Sequence, residues 1–227
     1  LVAGGGYRMV CSLVESYPYV KRLNEMGYSV FVLKYRTYPY AAMPGPIEDL
    51  ARAVSYITSH AGQFNVEATN YALCGASAGG HLAAAFGTKS LGYQKYGVEK
   101  PSCLFLAYPF ISYMDIGRTD TVNRMLERAF GERMHDEDLW RQYSIEEQVD
   151  EQYPPVFLWQ CVGDPVVPSS HSRMMAEALK EKQIPCQYEP VEGNVHGWGV
   201  ADHTSAQGWL LRAVRFWEQC ARDGGGK

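Results

Sequence analysis

Residues 71–87, YALCGASAGGHLAAAFG, constrain the fold more than any other stretch. An apolar run rich in β-formers leads into Gly75-Ala76-Ser77-Ala78-Gly79, and alanine-rich, helix-forming sequence follows. A chain that crosses from strand to helix over five small residues turns sharply, and a larger Cβ would clash there. One reading is a tight structural turn. The other is a support that lifts the Ser77 hydroxyl above the C-terminal edge of a sheet, next to the unpaired N–H groups that open the helix. Gly/Ala/Ser turns are common, so the pentapeptide alone decides little; a strand before it and a helix after it favour the second reading.

The rest of the chain supplies the sheet. Apolar runs at 1–3, 28–35, 71–75, 103–108, 156–162 and 186–191 show little alternation, as expected of strands buried on both faces. Helical patterns at 17–26, 47–61, 78–89, 169–182 and 205–222 lie between and after them. In the second, Ile47, Leu50, Ala51, Val54 and Ile57 share one face, and Gly27 and Gly62 are expected to cap helices. Strand–helix alternation of this kind predicts an α/β fold with a mostly parallel central sheet and helices on both faces. Residues 115–150 break the alternation: they are charged and helix-prone, and read as a small helical cap inserted at about 111–153. One domain over residues 1–227 is the simplest organisation. Leu1 opens the sequence inside an apolar run with no methionine before it, so a further upstream segment is expected.

With 227 residues, 46% of them hydrophobic, the chain can bury a sizeable core. A net charge of −4 without a basic run argues against nucleic acid as a partner. No apolar stretch approaches the roughly 20 residues that span a bilayer, so no membrane partner is expected. Cys11, Cys74, Cys103, Cys161, Cys186 and Cys220 form no C-x-x-C pair, and four lie in strand-like runs; reduced thiols and a cytoplasmic location fit.

A nucleophilic serine needs a base, an orienting acid and donors for an oxyanion. Asp164 follows the 156–162 strand in VGDPVVP, where ligand-facing residues gather in open α/β sheets; an Asp-Pro turn is the competing role. His196 follows the last strand in VEGNVHGWG, a loop made supple by Gly193, Gly197 and Gly199. The order Ser, Asp, His is that of strand–turn–helix serine hydrolases. His60, His81, His135, His171 and His203 compete for the base role, but their positions are less apt. His81 lies one helical turn beyond Ser77 and is expected to pack beside the turn rather than in front of it. Gly4-Gly5-Gly6-Tyr7 can bring backbone N–H groups close to a reacting carbonyl, joined by the N–H of Ala78. A phosphate loop is disfavoured, because G-x-G-x-x-G needs glycine at Met9. No metal-ligand pattern such as H-E-x-x-H occurs, and no cofactor is expected.

The set GGGY, YRTYPY, GASAGGHLA, YPFIS, YSIEEQV, PPVFLWQCVGDPVVP and GNVHGWG resembles the α/β-hydrolase superfamily. Within it, the chain is similar to the small esterase/lipase group related to acetyl-xylan esterases and hormone-sensitive-lipase-like enzymes. The resemblance covers nearly the whole chain. It implies an α/β-hydrolase fold, Ser77 as nucleophile, His196 as base, Asp164 as acid, and Gly5, Gly6 and Ala78 as oxyanion-hole donors. Many relatives carry histidine before the three glycines, where Ala3 stands here.

The activity this implies is a serine carboxylesterase acting on small acyl esters, including those of acetylated sugars. A formamidase or peptidase-like hydrolase on the same scaffold, or a non-catalytic ligand-binding protein of this fold, are the alternatives. The cap sequence, with Arg118, Arg124, Arg128, Glu132, Arg133, Asp136, Glu137 and Asp138, suggests a solvated cover over a small acyl pocket.

Overall fold

The apolar runs that read as doubly buried strands do form a parallel sheet. The computed structural model describes residues 1–116 and 120–224; Arg118, counted above among the cap charges, lies outside them. In chain order the described helices and strands begin with α1 (Ser12–Glu15), α2 (Tyr17–Glu25), α3 (Gly45–Ser59), α4 (Ala61–Phe64), β1 (Ala72–Ala76) and α5 (Ala78–Phe86). They continue with β2 (Cys103–Ala107), α6 (Asp120–Phe130), α7 (Glu137–Gln142), β3 (Val156–Cys161), α8 (Ser170–Glu181), β4 (Cys186–Val191) and α9 (Trp209–Gly224). The strands lie in the order β1-β2-β3-β4, all parallel, with Leu73 opposite Leu104, Leu106 opposite Leu158 and Trp159 opposite Glu189.

The two-residue period of each strand divides its side chains between two cores. Leu73, Leu104, Leu106, Val156 and Leu158 face Ile47, Leu50 and Val54 of α3, Leu82 and Phe86 of α5, and Met175 and Leu179 of α8. Cys74, Phe105, Phe157 and Trp159 face Tyr19 and Leu23 of α2 and Trp209, Leu210, Ala213 and Val214 of α9. Each large side chain removed from water this way contributes roughly 1.5–3 kcal/mol. All six cysteines are free thiols. Among the described residues no helix is long and apolar enough to cross a membrane.

Several elements differ from the sequence reading. The runs at 1–3 and 28–35 are not ladder strands: Val2 makes single parallel bridges to Leu33 and to Gly75. The glycine loop turns away straight after Ala3, so neither neighbour has a longer partner to pair with. Gly62 lies inside α4, and Asn65, at φ 53°, takes the left-handed cap instead. Helix α9 starts at Trp209 rather than 205, after Gly208 at φ 75°. The segment expected as a cap carries α6, α7 and two short 3-10 turns, Gly131–Arg133 and Ile145–Gln148. Its underside is more apolar than its composition suggests: Leu126, Ala129 and Phe130 are buried, and the Phe130 ring sits 4.8 Å from that of Tyr113.

Candidate active site

Ser77 sits between β1 and α5 with φ 51° and ψ −121°, a left-handed backbone that a non-glycine residue rarely adopts. Such a conformation costs on the order of 1–3 kcal/mol and persists only where its surroundings over-determine it. Here they do. The Ser77 N–H donates to Ala107 O at 3.0 Å, while Ser77 O accepts from the N–H groups of His81 and Phe110, both at 3.1 Å. The small flanking residues are sterically required. A Cβ on Gly75 would lie 2.3 Å from Gly79 O, and one on Gly79 would lie 2.1 Å from Val2 O.

The structure brings the three residues singled out from sequence into hydrogen-bonding contact. His196 Nε2 lies 2.8 Å from Ser77 Oγ, and His196 Nδ1 lies 2.7 Å from Asp164 Oδ2. A carboxylate accepts, so Nδ1 carries the proton and Nε2 is free to accept from the serine hydroxyl. The Asp164 side chain is fully buried and that of His196 nearly so. Burial pushes the Asp164 carboxyl upward, but the bond from His196 and the N–H groups of Val166 and Val167 outweigh it and hold it below the ordinary aspartate value. Those two amides donate to Oδ1 at 2.9 and 3.0 Å. Gln160, a fully buried polar residue of β3, donates to Oδ2 at 3.2 Å and to Val167 O at 2.7 Å, and accepts from Ser172 Oγ at 2.6 Å.

The glycine loop lies beside Ser77. Gly5 at φ 129° and Gly6 at φ 59° adopt backbone shapes that favour glycine, and a Cβ on Gly5 would meet Met9 O at 2.2 Å. Among the described residues the N–H groups of Gly5, Gly6 and Ala78 have no hydrogen-bond acceptor. Tyr7 closes the loop and points its hydroxyl at His81 Nδ1, 2.7 Å away. His81 Nε2 lies 2.8 Å from Tyr143 O, so Nε2 bears the proton and Nδ1 accepts from Tyr7. Burial lowers the His81 pKa to about 4 and keeps the ring neutral. It therefore packs beside the turn, as expected from its position.

The other histidines are placed elsewhere. His171 is buried, and its Nδ1 accepts the N–H groups of Ile111 and Ser112. His60 stacks on Tyr56 at the end of α3, and the His203 N–H donates to Gln207 Oε1. Sequence reasoning missed Gln160 and also Glu15, whose Oε2 accepts the Gly4 N–H at 2.6 Å. Gln160 left a signal, as the one amide in the apolar run 156–162. Glu15 left none, because a single acid in a short helical segment reads as a solvated side chain.

The BD-FAE family model matches residues 1–179. The chain belongs to the BD-FAE family. It is 32% identical over 218 residues to endo-1,4-beta-xylanase B of Butyrivibrio fibrisolvens, covering 92% of this chain and 33% of that protein. It is 27% identical over 218 residues to an acetylxylan esterase of Xylanibacter ruminicola, covering 95% and 44% respectively. The chain thus spans from a third to under half the length of these curated relatives. Among solved structures, an acetyl ester-xyloside bifunctional hydrolase from Caldicellulosiruptor lactoaceticus aligns with a TM-score of 0.85 at 28% identity. That alignment covers 97% of this chain and 81% of the other. An α/β hydrolase from a deep-sea metagenome, 24% identical with a TM-score of 0.76 over 97% of this chain and 83% of its own, shares the α/β-hydrolase fold.

Proposed function

We propose that this BD-FAE family member is a serine carboxylesterase that removes small acyl groups, acetyl above all, from sugar hydroxyls. The observation that carries the reading is the unbroken line of short contacts Ser77 Oγ–His196 Nε2 and His196 Nδ1–Asp164 Oδ2. In this mechanism Ser77 Oγ attacks the ester carbonyl carbon while His196 takes its proton. The negative charge that develops on the carbonyl oxygen is met by the N–H groups of Gly5, Gly6 and Ala78. Asp164 holds the His196 tautomer and faces the imidazolium. The tetrahedral intermediate collapses, the alcohol leaves with the proton from His196, and an acyl-Ser77 ester remains. Water then repeats the sequence, with His196 as base, releasing the carboxylic acid and free Ser77.

Acetylated sugar is favoured as substrate because a relative and a structural neighbour are named for acetylxylan and acetyl ester-xyloside hydrolysis. The test combines fluorophosphonate labelling with hydrolysis of nitrophenyl esters and acetylated xylo-oligosaccharides. Labelling at Ser77, loss of turnover by about 10⁶ in Ser77→Ala, and a preference for acetyl over octanoyl esters are expected. A maximum in kcat/KM at octanoyl or longer would overturn the small-acyl reading, since each methylene that fits a pocket contributes roughly 0.8 kcal/mol.

A further inference from the structure

Glu15 is a buried carboxylate that the mechanism above does not use. It stands at the end of α1, 6% exposed, and both its oxygens are occupied. Oε2 accepts the N–H of Gly4 at 2.6 Å, and Oε1 accepts the hydroxyl of Tyr108 at 3.1 Å. Tyr108 follows β2 in a left-handed backbone conformation, φ 37°, and its oxygen in turn accepts the N–H of Gly199 at 3.1 Å. Its ring packs edge-on against the imidazole of His196, with centroids 4.9 Å apart. One carboxylate thereby joins the loop of Gly4, Gly5 and Gly6 to the loop that carries His196.

Its position is close to the reacting atoms. A Cβ on Gly4 would lie 2.8 Å from Glu15 Oε2 and 2.7 Å from Ser77 Cβ, and a Cβ on Gly197 would lie 4.0 Å from Glu15 Oε1. Among the described residues the titratable groups that face Glu15 are Cys11, Tyr19, Tyr35, Cys74, Tyr108 and His196. Only His196 among these can become a cation.

We propose that Glu15 is a positioning residue that fixes the oxyanion loop and, through Tyr108, the His196 loop, and whose charge faces the imidazolium formed during acyl transfer. The inference rests on the roles of Ser77 and His196 given above. Glu15 pins the Gly4 N–H of the Ala3–Gly4 peptide, and the Cys11 N–H holds Gly4 O of the next one at 2.9 Å. The loop is thus fixed on both sides of Gly4 Cα, and the Gly5 and Gly6 amides have little room to swing from the carbonyl oxygen. Asp164 already occupies Nδ1 of His196. Glu15 adds negative charge nearby without competing for that proton, and its influence grows in a site from which water is excluded.

Burial raises the Glu15 carboxyl above its ordinary value, against the bonds from Gly4 and Tyr108 and the attraction of His196. A folded state that binds the proton more tightly than the unfolded chain is destabilised by ionisation as pH rises. Ionisation of Glu15 thus costs stability relative to its protonated form as pH rises, and the neutral isostere Gln, whose oxygen still accepts the Gly4 N–H, is not expected to weaken the fold. A merely structural residue would do the opposite.

The experiment compares wild type, Glu15→Gln, Tyr108→Phe and Ser77→Ala by nitrophenyl acetate kinetics, fluorophosphonate labelling and thermal melting. For Glu15→Gln, kcat is expected to fall about 10- to 100-fold, the equivalent of one charge-assisted hydrogen bond. Its KM should stay within about twofold and its Tm at neutral pH should equal or exceed that of wild type. Tyr108→Phe, which keeps the ring and removes the bridging hydroxyl, should lower kcat about tenfold with KM unchanged. A kcat within about twofold of wild type in Glu15→Gln overturns the proposal, as does a loss that appears only in KM or is accompanied by a lower Tm. If Glu15→Gln does not fold, a Tyr108→Phe kcat within about twofold of wild type overturns it. Failure of the underlying reading looks different: wild type would not hydrolyse the ester, or Ser77→Ala would hydrolyse it as well as wild type, and both ideas would fall together.

Discussion

Asp164→Asn is a small change in shape with a large expected effect, and the hydrogen bonds around Asp164 give its direction. The Oδ1 site accepts two backbone N–H groups, from Val166 and Val167. In the variant the amide oxygen must take that place, since an NH₂ there would face two donors. The NH₂ group then occupies the Oδ2 site, where it meets His196 Nδ1 and the Gln160 side-chain amide, itself a donor. The contact with His196 survives only if Nδ1 accepts. The ring proton then sits on Nε2, facing Ser77 Oγ, and the imidazole can no longer take the serine proton. A wrong tautomer of this kind costs about 10⁴ in turnover, or about 5.4 kcal/mol of barrier. The donor–donor encounter with Gln160 adds a buried unsatisfied group, worth about 1–3 kcal/mol of stability. Initial rates on nitrophenyl acetate near pH 7.5, with urea denaturation of the same samples, measure both effects. A folded Asp164→Asn protein that loses less than about tenfold in kcat/KM would refute the assignment of Asp164. Asp202, another acid in the loops near His196, is paired with Arg22 at 2.7 Å.

Three further outcomes are expected. Gly79→Ala should destabilise the fold by about 1–3 kcal/mol, because the added methyl would sit 2.1 Å from Val2 O and 2.5 Å from Ala3 O, both backbone atoms; an unchanged Tm would contradict the packing of α5 against the Val2 bridge. Acidification should destabilise the protein through His81 and His171, whose pKa values burial lowers from 6.5 to about 4. The unfolded chain binds protons that these buried rings do not, so stability present above about pH 6.5 drains away toward pH 4, by at most about 3 kcal/mol per ring. Urea midpoints at pH 7.5, 5.5 and 4.5 should record the decline, and His171→Gln should show a shallower one; parallel declines would exclude His171 as a contributor. Tyr7→Phe, which leaves His81 Nδ1 without its donor, should lower kcat more than it raises KM if the loop geometry depends on that bond, and a normal kcat would show that it does not.

The layout of the fold was largely legible in the sequence, because doubly buried strands are written as apolar runs and α/β alternation admits few topologies. The parts that misled were those whose structure depends on a partner. Residues 28–35 carry a strand's composition, yet strand structure is a property of pairs, and Val2 offers only one bridge before the glycine loop departs. Ser77, Asp164 and His196 were each identifiable because they follow strands in a recognisable order. Their supports were not. Gln160, Glu15 and Ser172 acquire meaning only when the sheet brings β3, α1 and α8 together, and no local pattern encodes that proximity. Tyr7 and Tyr108 were visible as aromatics near the motif loops, but no local pattern tells which hydroxyl meets His81 and which Glu15.

The polar groups about Ser77 are bound mainly to one another and to loop backbone, with few direct anchors in the two apolar cores. Gln160 joins β3 to Asp164 and to Val167, Tyr108 joins the end of β2 to Gly199, and Glu15 joins α1 to Gly4. The loops after β2, β3 and β4 and the glycine loop after Ala3 are thus tied laterally, across the top of the sheet, by bonds that strengthen as water is excluded. Such a layer tolerates the unfavourable backbone of Ser77 because no single loop can relax without breaking bonds in its neighbours. The same coupling makes the consequences of substitution non-additive. Glu15→Gln removes the carboxylate that the Tyr108 hydroxyl bonds but leaves that hydroxyl as acceptor of the Gly199 N–H, so Tyr108→Phe should do less further harm in a Glu15→Gln background than in wild type.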